Sequence, residues 1–189
     1  VISKKQVTCD LSTLLDFRPV TLRNPKERAI FKIQEGIQRG FREFLTSQNF
    51  TEVHTPKINF AGAEGGTNVF KLDYFGKTVY LAQSPQLYKQ ALVPVYERVF
   101  EIGPVFRAEH HDTSRHLNEY ISMDFEMGYI EDFTDIMNME TGALQYIMNL
   151  LKTEYAPEVE LLKVDIPEIK SIPCIRFKDA KEMCIKKLK

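Results

Sequence analysis

Two β-type runs flank one polar loop in the middle of this chain, and that unit restricts the fold more than any other stretch. Residues 98–109 mix apolar and polar positions with β-branched and aromatic types, as a half-buried strand does; residues 120–130 form a second such run. Residues 110–118 between them are polar and carry Arg115 and His116. Side chains alternate across a strand, so Arg107 and Glu109 share one face of the first run, and Tyr120, Ser122, Asp124 and Glu126 share one face of the second. An antiparallel pair would gather an arginine, an aromatic ring and several carboxylates on one sheet surface. Taken alone, such a surface reads as a solvated face with surface ion pairs. The rest of the chain argues otherwise.

Upstream, Asn24-Pro25-Lys26-Glu27 opens a helix: Asn24 caps, Pro25 suits the first helical position, and Glu27 reaches back as in a capping box. Ile30, Ile33, Ile37, Phe41, Phe44 and Leu45 follow as one apolar stripe, and Asn49 is the expected stop. Residues 50–56 read as a strand meeting Pro56. Residues 1–22 are mixed and irregular, with Phe17-Arg18-Pro19 ending any early helix, and read as a connector. Residues 61–69 hold Gly62, Gly65 and Gly66 and form a loop. They lack a phosphate-binding fingerprint, so on physical grounds alone a plain surface loop and a substrate lid stand level.

A hairpin follows, residues 69–74 and 78–82 around Phe75-Gly76-Lys77. Ser84 and Pro85 are the expected cap and first position of a helix whose Gln86, Lys89 and Gln90 share one face. That face is either exposed and polar or, at a helix N-terminus that favours anions, a place for a carboxylate. Residues 132–155 form an amphipathic helix through Phe133, Ile136, Met137, Leu144, Ile147, Met148 and Leu151, the methionines as core filler; residues 180–189 read as a solvated basic helix.

A chain of 189 residues buries one good core, and its net charge of −1 leaves no global basic field for nucleic acid. Cys9, Cys174 and Cys184 are far apart, form no metal-ligand spacing and read as free thiols of a reducing cytosol; no metal site is expected from them. No apolar run approaches a membrane span, and the start is no signal peptide, so a cytoplasmic protein without a membrane partner is expected.

Phe106-Arg107-Ala108-Glu109, the polar loop, and Arg115-His116-Leu117-Asn118-Glu119 together resemble motif 2 of the class II aminoacyl-tRNA synthetases, in the style of the archaeal and eukaryotic aspartyl enzymes. The helix, strand and Pro56 resemble motif 1, which in that family builds the dimer interface. Ser84 to Gln90 resembles the family's aspartate-binding signature, and Glu64-Gly65-Gly66 its substrate-closing loop. The resemblance implies an α+β fold, an antiparallel sheet flanked by helices, with motif 1 at about 25–56 and motif 2 at about 98–127 of a catalytic part spanning 23–189. It implies ATP and magnesium as cofactors, and aspartate, tRNA and a second copy of the chain as partners.

By the same resemblance Arg107 binds the α-phosphate and the substrate carboxylate side and is the catalytic residue. Glu109 accepts from the adenine amino group, Tyr120 stacks under adenine, and Arg115 and His116 hold the outer phosphates. Glu64, Ser84, Gln86 and Asp124 serve the amino group of aspartate, and Lys89 pairs with its β-carboxylate. Tyr120 stands where relatives often carry Phe. Glu126 is open between the magnesium side and a structural role.

No motif 3 and no anticodon-reading β-barrel appear in the sequence, so the chain is expected to be a piece of a longer aspartate–tRNA ligase, its catalytic part truncated. Two alternatives are a tRNA-independent ligase of the asparagine synthetase kind and a non-catalytic dimerisation module.

Overall fold

The computed structural model describes residues 9–60, 68–111, 113 and 116–187. Helix α1 (Leu11–Asp16) and a single turn α2 (Arg18–Thr21) open it, followed by the long α3 (Pro25–Ser47). The first of these were expected to be irregular. The Asp10 carboxylate caps α1 by accepting from the Thr13 N–H at 2.7 Å, and Pro19 sits in the first turn of α2, where it needs no N–H partner. Asn24 caps α3 as expected, accepting from the Lys26 N–H at 3.0 Å with Pro25 next. The capping box does not form: Glu27 is taken by Arg18 at 2.8 Å instead, which fastens α2 to α3.

The expected strand at 50–56 is regular only over β1 (Thr51–Glu52). After a two-residue β2 (Ile58–Asn59), β3 (Lys71–Tyr74) and β4 (Lys77–Leu81) form the expected hairpin. Tyr74 pairs with Lys77, so the loop is Phe75-Gly76, both at positive φ, with the Gly76 N–H donating to Asp73 at 2.9 Å. Helix α4 (Gln86–Tyr96) leads into the central hairpin, β5 (Arg98–Phe106) and β6 (Glu119–Met127). Both strands are shorter than the runs in the sequence, and Arg107 and Glu109 stand just beyond β5. Helices α5 (Phe133–Glu154), α6 (Ala156–Leu162) and α7 (Phe177–Lys187) complete the chain.

The strands form two sheets. In one, β1 runs parallel to β5, and β5 is antiparallel to β6; in the other the order is β2-β4-β3, all antiparallel. In the β5–β6 register Glu101 faces Asp124, Gly103 faces Ser122 and Val105 faces Tyr120. The alternate residues Phe100, Ile102, Phe125 and Met127 therefore turn to the other side, where they meet Phe41, Leu45, Ile147, Leu150 and Leu151 of α3 and α5. Phe100 meets Phe41 edge-on at 6.0 Å, and Phe125 meets Phe50 at 5.7 Å. Each fully buried side chain of this kind contributes about 1.5–3 kcal/mol.

Helix α3 packs close because Gly36 carries no side chain: a Cβ there would stand 2.8 Å from Leu151 and from the Tyr155 ring. The expected α5 stripe holds through Ile147 and Leu151, but Phe133, at the first turn of the helix, is exposed. Ile30 is also exposed, at 51%, and Ile33 and Ile37 only half-buried. The N-terminal half of the α3 stripe is thus only partly covered among the described residues, with Ile33 and Ile37 packed against the core and Ile30 exposed. Together with Ile121 and Met123 of β6 it forms one shallow apolar surface. Helix α7 begins three residues before the expected Ala180 and buries no residue. No helix of the described residues is long and apolar enough to cross a membrane.

Candidate active site

The face of β5–β6 turned away from α3 and α5 carries the polar row, and α4 lies against it. Helix α4 starts one residue later than expected. Pro85 takes the cap position, and the Ser84 hydroxyl accepts from the N–H of Gln86 at 3.1 Å. This phase turns Lys89 inward, only 3% exposed, and leaves Gln90 exposed, so the two do not share a face. The Lys89 ammonium stands 3.6 Å from the Asp124 carboxylate and 3.4 Å from that of Glu126, and donates to the Phe125 carbonyl at 3.4 Å. Gln86 donates to Glu126 at 3.3 Å, and the Ser122 hydroxyl donates to Asp124.

A buried ammonium is costly unless paired, and here two carboxylates from one strand supply the pairing. One cation between two anions leaves this corner net negative. It suits a ligand that brings both a carboxylate for Lys89 and an ammonium for the carboxylates.

One end of the hairpin holds a second group. The Arg107 N–H donates to the Asn118 carbonyl at 2.9 Å, extending the ladder one residue past β5. With its amide nitrogen turned toward the strand, Asn118 donates to the carbonyls of Arg107 and Glu109, each at 3.1 Å, whereas the reverse orientation would set oxygen against oxygen. Asn118 thereby fixes the bend that carries both side chains. The Arg107 guanidinium lies 6.0 Å from the centre of the Tyr120 ring, and its Nε is buried with no hydrogen-bond partner among the described residues. A buried guanidinium donor left open is a ready position for an anion. Glu109 faces His116 at 3.8 Å, and the Thr113 hydroxyl lies 2.6 Å from His116 Nδ1. Arg107, Glu109, His116, Leu117 and Tyr120 line a cleft of about 440 Å³. A larger hollow of about 590 Å³ beside Arg98 and Tyr129, at the opposite end of the hairpin, is lined by none of the predicted site residues.

The structure thus brings Gln86, Lys89 and Asp124 together, and Arg107, Glu109, His116 and Tyr120 together, on one sheet face. Ser84 sits at the foot of α4. Pro56 is exposed on the segment leaving β1. Glu64 and Arg115 lie outside the described residues.

Sequence reasoning left Glu126 unassigned and passed over Glu101, although alternation along β5 places Glu101 in the same polar row. Glu101 is 3% exposed. It accepts from the Thr55 N–H at 2.9 Å, from the Thr55 hydroxyl at 2.7 Å and from Lys57 at 2.7 Å. Burial, the largest single influence, pushes its carboxyl up, but the bonds from Lys57 and Thr55 together outweigh it and hold the group below the usual carboxylate range. Its contribution to stability is therefore present above that range and lost as pH falls through the lowered value.

A family model described as tRNA synthetases class II (D, K and N) matches residues 10–187. The aspartate–tRNA(Asp/Asn) ligase of Deinococcus radiodurans is 51% identical over 187 residues, which is 98% of this chain and 43% of that protein. Among solved structures, asparaginyl-tRNA synthetase from Pyrococcus horikoshii with asparaginyl-adenylate superposes with a TM-score of 0.87 at 33% identity, over 95% of this chain and 42% of that one. Aspartyl-tRNA synthetase from Entamoeba histolytica superposes with a TM-score of 0.78 at 34% identity, over 99% of this chain and 36% of that one. The chain therefore spans less than half the length of each of these relatives.

Proposed function

This chain belongs to the class II tRNA synthetases of the D, K and N group, and from that premise we propose that it carries the aspartate- and ATP-binding part of an aspartate–tRNA ligase. The observation that carries the reading is the buried Lys89 ammonium between Asp124 and Glu126, on the same sheet face as the unpartnered Nε of Arg107. Lys89 pairs with the β-carboxylate of aspartate, and Asp124, with Gln86 and Ser84, takes its ammonium. Glu64, outside the described residues, is assigned to the same ammonium by the family resemblance. A neutral asparagine side chain would bring Lys89 no anion beyond Asp124 and Glu126, which favours aspartate.

ATP fits the neighbouring cleft. Tyr120 offers a stacking surface, Glu109 an acceptor for the adenine amino group, and Arg107 a planar fork for the α-phosphate. His116 and Arg115 hold the outer phosphates. Magnesium takes one or two carboxylates together with phosphate oxygens. Among the described residues no cluster of three or more metal-binding side chains exists, so the phosphates would supply much of its coordination. The chemistry is attack of the aspartate α-carboxylate on the α-phosphorus, with pyrophosphate leaving; the acyl group then passes from the adenylate to a hydroxyl of the terminal ribose of tRNA, with AMP leaving. Arg107 stabilises the charge that builds on the phosphorus centre, and the two binding groups hold the reactants in line. No side chain acts as a covalent nucleophile.

The protein works as a homodimer in the cytoplasm, with residues 1–22 as the connector to a preceding domain. The apolar surface of Ile30, Ile33, Ile37, Ile121 and Met123 supports the dimer, with exposed Pro56 on the same interface. Sedimentation at micromolar concentration should give the dimer mass; a monomer would remove this part of the reading. Aspartate-dependent ATP–pyrophosphate exchange on the full-length protein, with asparagine as control, tests the ligase itself. Exchange with aspartate alone is expected, and neither exchange nor ATP binding would leave only a scaffold.

A further inference from the structure

Glu101 and Asp124 face each other directly across β5 and β6 on the site face. Two carboxylates in that relation repel. Glu101 is paired with Lys57, whereas Asp124 shares Lys89 with Glu126. Lys57, from the segment after Pro56, reaches Glu101 at 2.7 Å, while Lys89, from α4, stands 3.6 Å from Asp124. The Lys57 ammonium also donates to the Thr55 hydroxyl at 3.1 Å and lies over Gly103, where a Cβ would come 3.5 Å from its Nζ. Gly103 is opposite Ser122, the residue bonded to Asp124. Lys57 therefore occupies the sheet face one strand away from the Lys89 cluster, and a Cβ at residue 103 would meet it at ordinary van der Waals distance.

We propose that Lys57 and Glu101 are positioning residues for the aspartate site: by neutralising Glu101 within the sheet, Lys57 leaves the Lys89 ammonium to Asp124 and the substrate. The inference rests on the proposed aspartate-binding roles of Lys89 and Asp124. Without Lys57, the Glu101 charge faces Asp124 unpaired. It then competes for Lys89 and adds a second like charge where the substrate carboxylate must enter. The adenine end should feel little of this. Tyr120 lies two cross-strand rows from Asp124, about 13 Å along the strand.

The test is steady-state ATP–pyrophosphate exchange on the full-length protein, with KM measured separately for aspartate and for ATP. Lys57→Met is expected to raise the aspartate KM about tenfold, short of the hundredfold that a 1 Å misplacement can cost. The ATP KM should stay within about twofold. The double variant Lys57→Met/Glu101→Gln removes both charges and should return the aspartate KM to within about threefold of the unsubstituted protein. Lys57→Arg, which keeps the charge, should do the same. An unchanged aspartate KM in Lys57→Met, an equal rise for both substrates, or a double variant no better than the single would each overturn the inference. If Lys57→Met does not fold, the double variant carries the test, and a tenfold rise in its aspartate KM overturns the proposal. An unsubstituted protein without aspartate-dependent exchange would instead overturn the ligase reading, and this inference with it.

Discussion

Replacement of Arg107 by alanine should lower aspartate-dependent exchange about a thousandfold while leaving the folded protein nearly as stable as before. The two halves of this expectation have separate causes. Fixed donors aimed at a charged transition state are among the largest single contributors to catalysis, and loss of one typically costs 10²–10³ or more in rate. Among the described residues, however, the Nε of Arg107 has no partner, and its guanidinium overlies Tyr120 at 6.0 Å. Its removal deletes no side-chain hydrogen bond to a described residue, and the backbone bond to Asn118 persists. Thermal or urea unfolding should therefore shift by no more than about 1 kcal/mol. Lysine should restore little, because a point charge does not reproduce the planar fork. A variant that unfolds easily but keeps its rate would make Arg107 a structural residue and remove it from the reaction.

Lys89→Met should fail in both respects. The buried ammonium is the cation shared by Asp124, Glu126 and the Phe125 carbonyl. Without it two carboxylates of one strand face each other under α4. Breaking a buried pair costs about 3–5 kcal/mol, and less here because Asp124 and Glu126 are partly solvated, so a loss of about 2 kcal/mol is expected by urea unfolding. The aspartate KM should rise at least about a hundredfold, and the preference for aspartate over asparagine, otherwise about 10⁴-fold, should collapse. Asparagine activation equal to aspartate activation in the unsubstituted protein would remove Lys89 from the role of discriminator.

The central hairpin, the capped α3, the β3–β4 turn and the grouping of Arg107 with Tyr120 were all legible because each depends on local sequence. Alternation fixes a face, Asn24-Pro25 fixes a helix start, and a two-residue loop with glycine fixes a turn. What escaped depends on tertiary partners. Glu27 has two acceptable uses, and the proximity of Arg18 decides between them. Gln90 and Lys89 both follow Gln86 at helical spacing, but the packing of α4 on β6 turns Lys89 to the strand and leaves its neighbour Gln90 exposed. Glu101 looked like any polar position of a half-exposed strand. Its burial follows from the return of residues 55–57 over that face, a contact across more than forty residues. Phe133 lies on the expected stripe but opens α5 and is exposed.

The alternation along β5 and β6 has a consequence for how such a domain changes over time. Core and site are interleaved residue by residue on the same two strands: Phe100 beside Glu101, Asp124 beside Phe125. A slip of one residue in pairing would carry phenylalanine into the site and carboxylate into the core, so register is defended twice. Substitutions within one row, by contrast, leave the other row untouched. The chemistry of the ligand pocket can then be rewritten on an unaltered interior. The hairpin is a template with two separable inscriptions, one that keeps the shape and one that carries the polar row.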